Sequence, residues 1–267
     1  MKTFPFRNTL SSLALSLICL VIVYEQPAFA QKSFKERSWT TAFYANCKLP
    51  RSKDHGKSVS WVKIGKDRKV QFKLLPGQVG GCSTDDMARH SAPFWERAEL
   101  RQKDHMRLGL IHRISFEALF LEGFTGERET FFQIHGWNGT CHAYPPLMMK
   151  FHNGRLRIDV LANVGEKAGQ KWMSNEQGSH RSLQLRTIKI ENLYNLPQQF
   201  DVVLDTTGER SGLLSIYLNG VGVVEKAKIE YAPCAKPHVK FGIYRPGKGS
   251  VTSRVLFDNL SIRQETN

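Results

Sequence analysis

Apolar and polar residues alternate in many short runs along the chain, and turn residues separate one run from the next. Alternation with a period of two places one set of side chains in a core and the other set on the opposite face of a β-sheet. Amphipathic helical periodicity is almost absent. Strands are predicted over residues 59–64, 69–74, 108–122, 147–151, 155–161, 200–204, 213–218 and 251–262.

Two of the connections between these runs are Asn-Gly dipeptides, at Asn153–Gly154 and Asn219–Gly220. This dipeptide favours the type I′ turn of a tight hairpin, because both of its residues tolerate positive φ. No internal repeat, low-complexity stretch or linker divides the chain. The pattern predicts an all-β fold with a single domain over residues 31–267. The architecture expected is a two-sheet antiparallel β-sandwich of the jelly-roll, concanavalin A-like type. The polar stretch 165–180 is predicted to be a mobile loop at its rim.

The first thirty residues have the pattern of a secretory signal peptide. Lys2 and Arg7 precede an apolar run, and Ala28 and Ala30 supply the small residues of a cleavage site. The run is short for a membrane span, and no later run is long enough. We predict cleavage after residue 30 and an exported chain, secreted or periplasmic, without stable membrane association. An uncleaved anchor and a lipidated Cys19 are the alternatives.

Cys47, Cys82, Cys141 and Cys234 remain after the predicted signal peptide. An even number of cysteines in an exported chain favours two disulfides, and the sequence leaves all three pairings open. Cys141 lies next to a histidine, but no Cys-x-x-Cys pair supports a metal cluster. We therefore predict two disulfides and no metal site.

The chain is strongly basic, with a formal net charge of +14 at pH 7. Such an excess of positive charge attracts a polyanion. Lysines and arginines are scattered along the chain, and it contains no recognisable nucleic-acid-binding motif, so nucleic acid is not the expected partner. An exported protein more often meets acidic polysaccharide. A basic surface that is merely solvated is the alternative.

Three alternating segments place polar side chains on the face opposite their apolar residues. They are Arg97-Ala98-Glu99-Leu100-Arg101, Gln133-Ile134-His135 and Lys240-Phe241-Gly242-Ile243-Tyr244. These segments resemble, in order and in sequence, the three signature strands of the jelly-roll polysaccharide lyases: R-x-E-L-R, Q-[IV]-H and K-x-G-x-Y. Over residues 94–262 the wider pattern is similar to the heparin lyase I and glucuronan lyase group.

The resemblance implies β-elimination at an acidic sugar. Gln133 and Arg97 match the positions that neutralise the sugar carboxylate, and His135 and Tyr244 match the catalytic pair. In an anti elimination His135 takes the C5 proton and Tyr244 protonates the leaving oxygen. In a syn elimination Tyr244 does both while His135 holds the carboxylate. The sequence leaves both routes open.

Further residues are expected to bind the substrate. Lys240 and Arg101 share the polar face, Trp137 and Tyr144 would stack on sugar rings, and Arg245 would add positive charge.

Two supporting roles are also expected around these residues. The charge of Lys240 would stabilise the phenolate of Tyr244, while Glu99 would hold Arg97 or Arg101 through an ion pair. Gly242 would leave room for a sugar to approach the backbone.

Departures from the alginate lyase pattern leave the substrate open. Positions that carry a tyrosine and a glutamine in those enzymes are His238 and Pro246 here. Alginate, glucuronan and a sulfated glycosaminoglycan such as heparin all remain candidates. No organic cofactor is expected, a structural calcium ion stays possible because some relatives bind one, and a monomer is expected.

Two other function classes compete with the lyase. A non-catalytic carbohydrate-binding, lectin-like sandwich would use the same face without needing His135 and Tyr244 as a pair. A glycoside hydrolase needs two facing carboxylates, and Glu99 is the single acidic residue in the three motifs. The hydrolase therefore ranks last.

Overall fold

The computed structural model describes residues 42–52, 56–88, 92–136, 145–162, 179–208, 211–231, 236–247 and 251–265. They all belong to one compact unit, Lys32–Asn267. Sixteen strands and a short 3₁₀ helix, Ile190–Asn192, make up the regular structure named within these ranges. None of the helical segments described is long and apolar enough to cross a membrane.

The strands form two seven-stranded antiparallel sheets. The first sheet has the order β1 (Phe43–Ala45), β6 (Trp95–Gln102), β15 (His238–Pro246), β8 (Glu129–His135), β9 (Leu147–His152), β10 (Arg155–Ala162) and β11 (Ser179–Lys189). The second has the order β14 (Val221–Glu230), β13 (Ser211–Leu218), β12 (Gln198–Asp205), β7 (Ile111–Phe120), β16 (Ser253–Glu265), β5 (Asp67–Leu74) and β4 (Val59–Ile64). A separate small ribbon pairs β2 (Arg51–Ser52) with β3 (Gly56–Lys57). The predicted all-β jelly-roll sandwich is confirmed.

Every run predicted as a strand forms one, with ends that shift by a few residues. The longer strands missing from the prediction, β11 and β14, lie at sheet edges. In β14 the buried residues are Val224 and Ile229, too few to produce a clear alternation. The predicted loop 165–180 lies largely outside the described residues, and its last two residues, Ser179 and His180, begin β11.

Both Asn-Gly dipeptides form the predicted hairpin turns. Asn153 and Gly154 have φ of 50° and 70° between β9 and β10, and Asn219 and Gly220 have φ of 51° and 78° between β13 and β14. Positive φ at both central positions is the geometry of a type I′ turn. Local sequence therefore sets the register of these two hairpins.

Phenylalanines from the two sheets interlock to form the core. The ring of Phe116 on β7 lies 5.0 Å from that of Phe132 on β8 and 5.2 Å from that of Phe241 on β15. All three are completely buried. Packing of this kind fixes which face of the first sheet points inward, so the opposite face must carry the polar residues of β6, β8 and β15.

Each of the two central strands of the first sheet contains one irregularity. On β8 the register shifts between Thr130 and Phe132, which turns both Phe131 and Phe132 into the core. On β15 it shifts between Phe241 and Tyr244, where Gly242 has φ of 142°. These bulges set the direction of the polar side chains that follow them.

Gly242 is required for packing inside the sandwich. A Cβ at this position would lie 2.1 Å from the backbone oxygen of Ala98 and 2.9 Å from the ring of Phe72. The expectation that this glycine makes room for a sugar is therefore wrong, because the missing Cβ would point at neighbouring protein.

A disulfide joins Cys47, just after β1, to Cys82. This is one of the pairings left open by the sequence. Cys141 and Cys234 lie outside the described residues, so the second of the two predicted disulfides stays a prediction. Over the described ranges no group of three or more His, Cys, Asp or Glu side chains is placed to bind a metal.

The packing around Gly242 leads to a stability prediction. Gly242→Ala should lower the free energy of unfolding by about 3 kcal/mol or more, because the methyl group adds a steric clash to a strained φ. Gly220→Ala is the matched control: φ there is also positive, but nothing lies within 4 Å of its added Cβ. The control should lose only about 1–2 kcal/mol. Equal losses in urea unfolding would contradict the packing role.

Candidate active site

The polar face of the first sheet brings the first and third motifs side by side. Lys240 on β15 lies opposite Arg101 on β6, and Tyr244 lies opposite Arg97. Because alternate residues share a face, all four side chains point away from the core. The predicted clustering of these residues is therefore present.

The second motif borders the same strand on its other side. Lys240 lies opposite Gln133 of β8, and His238 lies opposite His135. Along β15 the order is therefore His238, Lys240 and Tyr244. His135 and Tyr244 lie toward opposite ends of the patch, with Lys240 and Gln133 between them.

Tyr244 is held in a column of stacked side chains. The rings of Tyr244 and Trp95 are stacked, with centroids 4.8 Å apart and an interplanar angle of 26°. The guanidinium carbon of Arg97, on β6, lies 4.0 Å from the centroid of the Tyr244 ring. Arg128 stacks in turn on Trp95 at 5.3 Å. Arg97 and Tyr244 also interact electrostatically, and this interaction acts to raise the pKa of Arg97. Arg97 is therefore a cation in contact with Tyr244, and the role suggested for Lys240 stays a prediction.

Arg97 is held from two sides by carboxylates. Its Nε and Nη2 donate to Asp85 at 2.9 and 2.8 Å, and its Nη1 donates to Glu99. Burial acts to lower the pKa of Arg97, but Glu99 and Asp85 outweigh burial and hold the pKa above its usual value. The guanidinium is therefore fixed in orientation and always charged.

Glu99 is a shared acceptor beneath the patch. Besides Arg97, it accepts hydrogen bonds from Gln133 Nε2 at 2.5 Å and from Asn46 Nδ2 at 3.1 Å. The predicted ion pair with Arg97 is confirmed. A carboxylate only accepts hydrogen bonds, so the amide nitrogen of Gln133 must face Glu99. Both side chains expected to neutralise the sugar carboxylate are thus oriented by one residue.

His135 is half-buried in a strongly positive environment. Burial lowers the pKa of His135 well below its ordinary value, and the charges of Lys240, Arg97 and Arg101 act in the same direction. The imidazole is therefore neutral at neutral pH, and one of its ring nitrogens carries no proton. A base needs this state.

His238 packs beside His135, with ring centroids 5.5 Å apart. Its Nδ1 lies 3.0 Å from the backbone oxygen of Lys236. Burial lowers the pKa of His238 to about 3. His238 is therefore uncharged at neutral pH, and in acid its charge acts to lower the pKa of His135 further.

Lys240 is buried, with a residue exposure of 5%. Burial lowers the pKa of Lys240 to about 7. The charges of Arg97 and Arg101 also act to lower this pKa, while the carboxylates of Glu99 and Asp85 act to raise it. A lysine with such a pKa changes its charge near neutral pH.

Arg101 is half-buried, and its guanidinium carbon lies 5.7 Å from the centroid of the Tyr44 ring.

The sequence matches the polysaccharide lyase family over residues 52–261. The chain belongs to this family. No curated protein matches it.

Solved structures of lyases share the fold. Alginate lyase A1-II′, a member of polysaccharide lyase family 7, is 16% identical, with a TM-score of 0.56 over 85% of this chain and 96% of its own. An endo-β-1,4-glucuronan lyase from the fungus Trichoderma reesei is 12% identical, with a TM-score of 0.53 over 84% and 94%. Alginate lyase PA1167 from Pseudomonas aeruginosa is 16% identical, with a TM-score of 0.52 over 85% and 99%. A form of A1-II′ with a His→Asn and a Tyr→Phe substitution was crystallised with its substrate.

Arg245 of this lyase does not face the patch. Its guanidinium lies on the core side of β15, where it donates to Glu96, to Glu129 at 2.9 Å and to Ser253 at 2.6 Å, and the residue is 2% exposed. The expectation that Arg245 binds substrate is therefore wrong. Tyr244 points outward, so the residue after it must point inward.

Trp137 and Tyr144, expected to stack on sugars, lie outside the described residues and stay predictions. The structure adds basic residues that were not singled out from the sequence. Lys150 on β9 and Arg157 on β10 extend the polar face, and both form ion pairs with Asp159. They stand at alternating positions of predicted strands, which is the signal that would have found them.

The placement of Arg245 leads to a prediction about stability. Arg245→Leu should lower the free energy of unfolding by about 3–5 kcal/mol, because it leaves Glu96 and Glu129 buried without their cation. Arg101→Leu is the control, since it removes the same group from the outer face, and it should cost less than about 1 kcal/mol. Urea unfolding measures both. A smaller loss for Arg245→Leu than for the control would contradict the buried ion pair.

Proposed function

We propose that this lyase is exported and cleaves an acidic, uronate-containing polysaccharide by β-elimination. The observation that carries the proposal is that a neutral His135 and a Tyr244 held against Arg97 share one face, with Gln133 and Lys240 between them. A binding module would need the cations and aromatic rings but not this pairing.

The chemistry requires three groups. The negative charge of the uronate carboxylate must be offset before its C5 proton becomes acidic; Gln133 and Arg97 would offset it, with Lys240 beside them on the same face. A base then removes the C5 proton, the electrons form the C4–C5 double bond, and the C4–O bond breaks. The departing oxygen takes up a proton from an acid.

The side-chain arrangement favours the syn route. Arg97, in contact with the ring, would stabilise a phenolate on Tyr244, and Tyr244 would then take the C5 proton and return it to the leaving oxygen. Neutral His135 would then donate a hydrogen bond to the carboxylate. The histidine and tyrosine substituted in the alginate lyase crystallised with substrate are the same pair of residue types.

Charge and compartment support the choice of substrate. The net charge of +14, together with Arg101, Lys150 and Arg157 on the outer face, suits a polyanion longer than one sugar. The similar structures belong to enzymes named for alginate and glucuronan. A disulfide and the signal-peptide pattern favour an oxidising compartment outside the cytosol.

The first test is the absorbance of the 4,5-unsaturated uronate that β-elimination creates. Purified chain without residues 1–30 is incubated with alginate, glucuronan, heparin, heparan sulfate and chondroitin sulfate. We expect absorbance to rise on one of them, and His135→Ala and Tyr244→Phe each to reduce the rate about 100-fold or more, as for loss of an acid or base. Tyr217→Phe, on the outer face of the second sheet, is the matched control and should keep the rate.

Two results would overturn the proposal. Binding to a polymer without any rise in absorbance would identify a carbohydrate-binding module. An unchanged rate in both site variants would place the chemistry elsewhere on the chain.

The pKa of Lys240 predicts the pH dependence of the reaction. Lys240 is charged below its pKa of about 7 and loses its charge as the pH rises through that value. If it binds the carboxylate, kcat/KM should fall above about pH 7. Lys240→Arg keeps the charge at higher pH and should move this decline upward. A decline at the same pH in both proteins would show that another group titrates.

A further inference from the structure

Asp85 is a completely buried carboxylate that lies outside the three motifs. Its exposure is 0%, and the neighbouring Asp86 is exposed. Besides the hydrogen bonds from Nε and Nη2 of Arg97, its Oδ2 accepts one from the backbone N–H of Cys82 at 3.1 Å. Burying a carboxylate costs free energy unless it is paired, and Arg97 is the ion-pair partner recorded for it.

The turn that carries Asp85 is fastened to the rest of the fold in two ways. Backbone hydrogen bonds join Asp85 to Trp95 at 2.6 Å and Gly80 to Trp95 at 3.1 Å, which ties the turn to the start of β6. The disulfide ties Cys82 to Cys47, just after β1. The turn is also closely packed, because a Cβ at Gly80 would lie 2.2 Å from Asp85 Oδ2.

We infer that Asp85 is a positioning residue for the elimination and that the Cys47–Cys82 disulfide holds it in place. The contacts run in one series, from the disulfide to Asp85, from Asp85 to the guanidinium of Arg97, and from Arg97 to the ring of Tyr244. The inference rests on the proposed function, since it assigns Tyr244 to the chemistry. Without Asp85, Arg97 keeps Glu99 alone and is free to rotate away from the ring.

Kinetics of Asp85 variants test this role. Asp85→Ala should lower kcat about 100-fold with little change in KM, because misplacing a catalytic group slows the chemical step more than binding. Asp85→Asn keeps one acceptor and should retain an intermediate kcat. Asp86→Asn makes the same charge change one residue away on the surface and should leave kcat within twofold. A purely structural role would lower the melting temperature of the Asp85 variants and leave kcat per folded molecule unchanged, which would overturn the inference.

A second set of variants tests the disulfide. Cys47→Ser with Cys82→Ser should lower kcat about tenfold or more, and adding Asp85→Ala to this pair should lower it no further than Asp85→Ala alone. Such non-additivity is expected when two changes act through one contact. Multiplying losses would show that the disulfide acts independently of Asp85.

Crystal structures of the Asp85→Asn, Asp85→Ala and Asp86→Asn proteins separate this inference from the proposed function. We expect the guanidinium of Arg97 to leave its place 4.0 Å from the Tyr244 ring in the Asp85→Ala protein and to stay there in Asp86→Asn. Arg97 unmoved without Asp85 would overturn the positioning role, whatever the activity. Arg97 displaced in a chain whose wild type degrades no polymer would uphold the positioning contact and reject the elimination.

Discussion

The polar face of the first sheet depends on one buried carboxylate, that of Glu99. A carboxylate that is 2% exposed costs free energy unless charged or polar donors surround it. Arg97, Gln133 and Asn46 supply those donors. Because the carboxylate cannot remain unpaired, it orients the amide of Gln133 and, together with Asp85, the guanidinium of Arg97. The guanidinium in turn contacts the ring of Tyr244, so Glu99 connects the first two motifs to the third.

Strand β6 carries two buried ion networks on opposite faces. On the outer face Arg97 and Glu99 orient the groups that would meet a sugar, while on the core side Glu96 pairs with Arg245 of the adjacent strand. Both networks consist of buried charged side chains, and they lie on opposite faces of the first sheet. The inner one joins β6, β8, β15 and β16 through Glu129 and Ser253. Rigid neighbours of this kind are what an outer face needs to keep its side chains aligned.

Crowded positive charge sets the protonation states on the outer face. Burial, together with Arg97 and Arg101, lowers the pKa of both His135 and Lys240. The imidazole becomes available as a neutral group, and the lysine is poised near neutral pH. A polyanionic ligand would relieve the repulsion among these cations, so binding of the polymer and protonation of Lys240 are coupled. The same charges that attract the substrate thus tune the groups that act on it.

The sequence by itself determined the fold class, most of the strands and which residues of the three motifs share a face, because alternation with a period of two is a local property. The same alternation indicates that Arg245 points inward, because it directly follows the outward-pointing Tyr244. Its charge nevertheless suggested a binding role. Tertiary structure decided the pairing of the edge strands β11 and β14 and the partners of Arg97. Asp85 lies twelve residues before Arg97, and Asn46 is farther still from Glu99. Burial and contacts between distant segments determine these hydrogen-bond partners and the shifted pKa values. The local alternation of apolar and polar residues predicts neither the partners nor the pKa values.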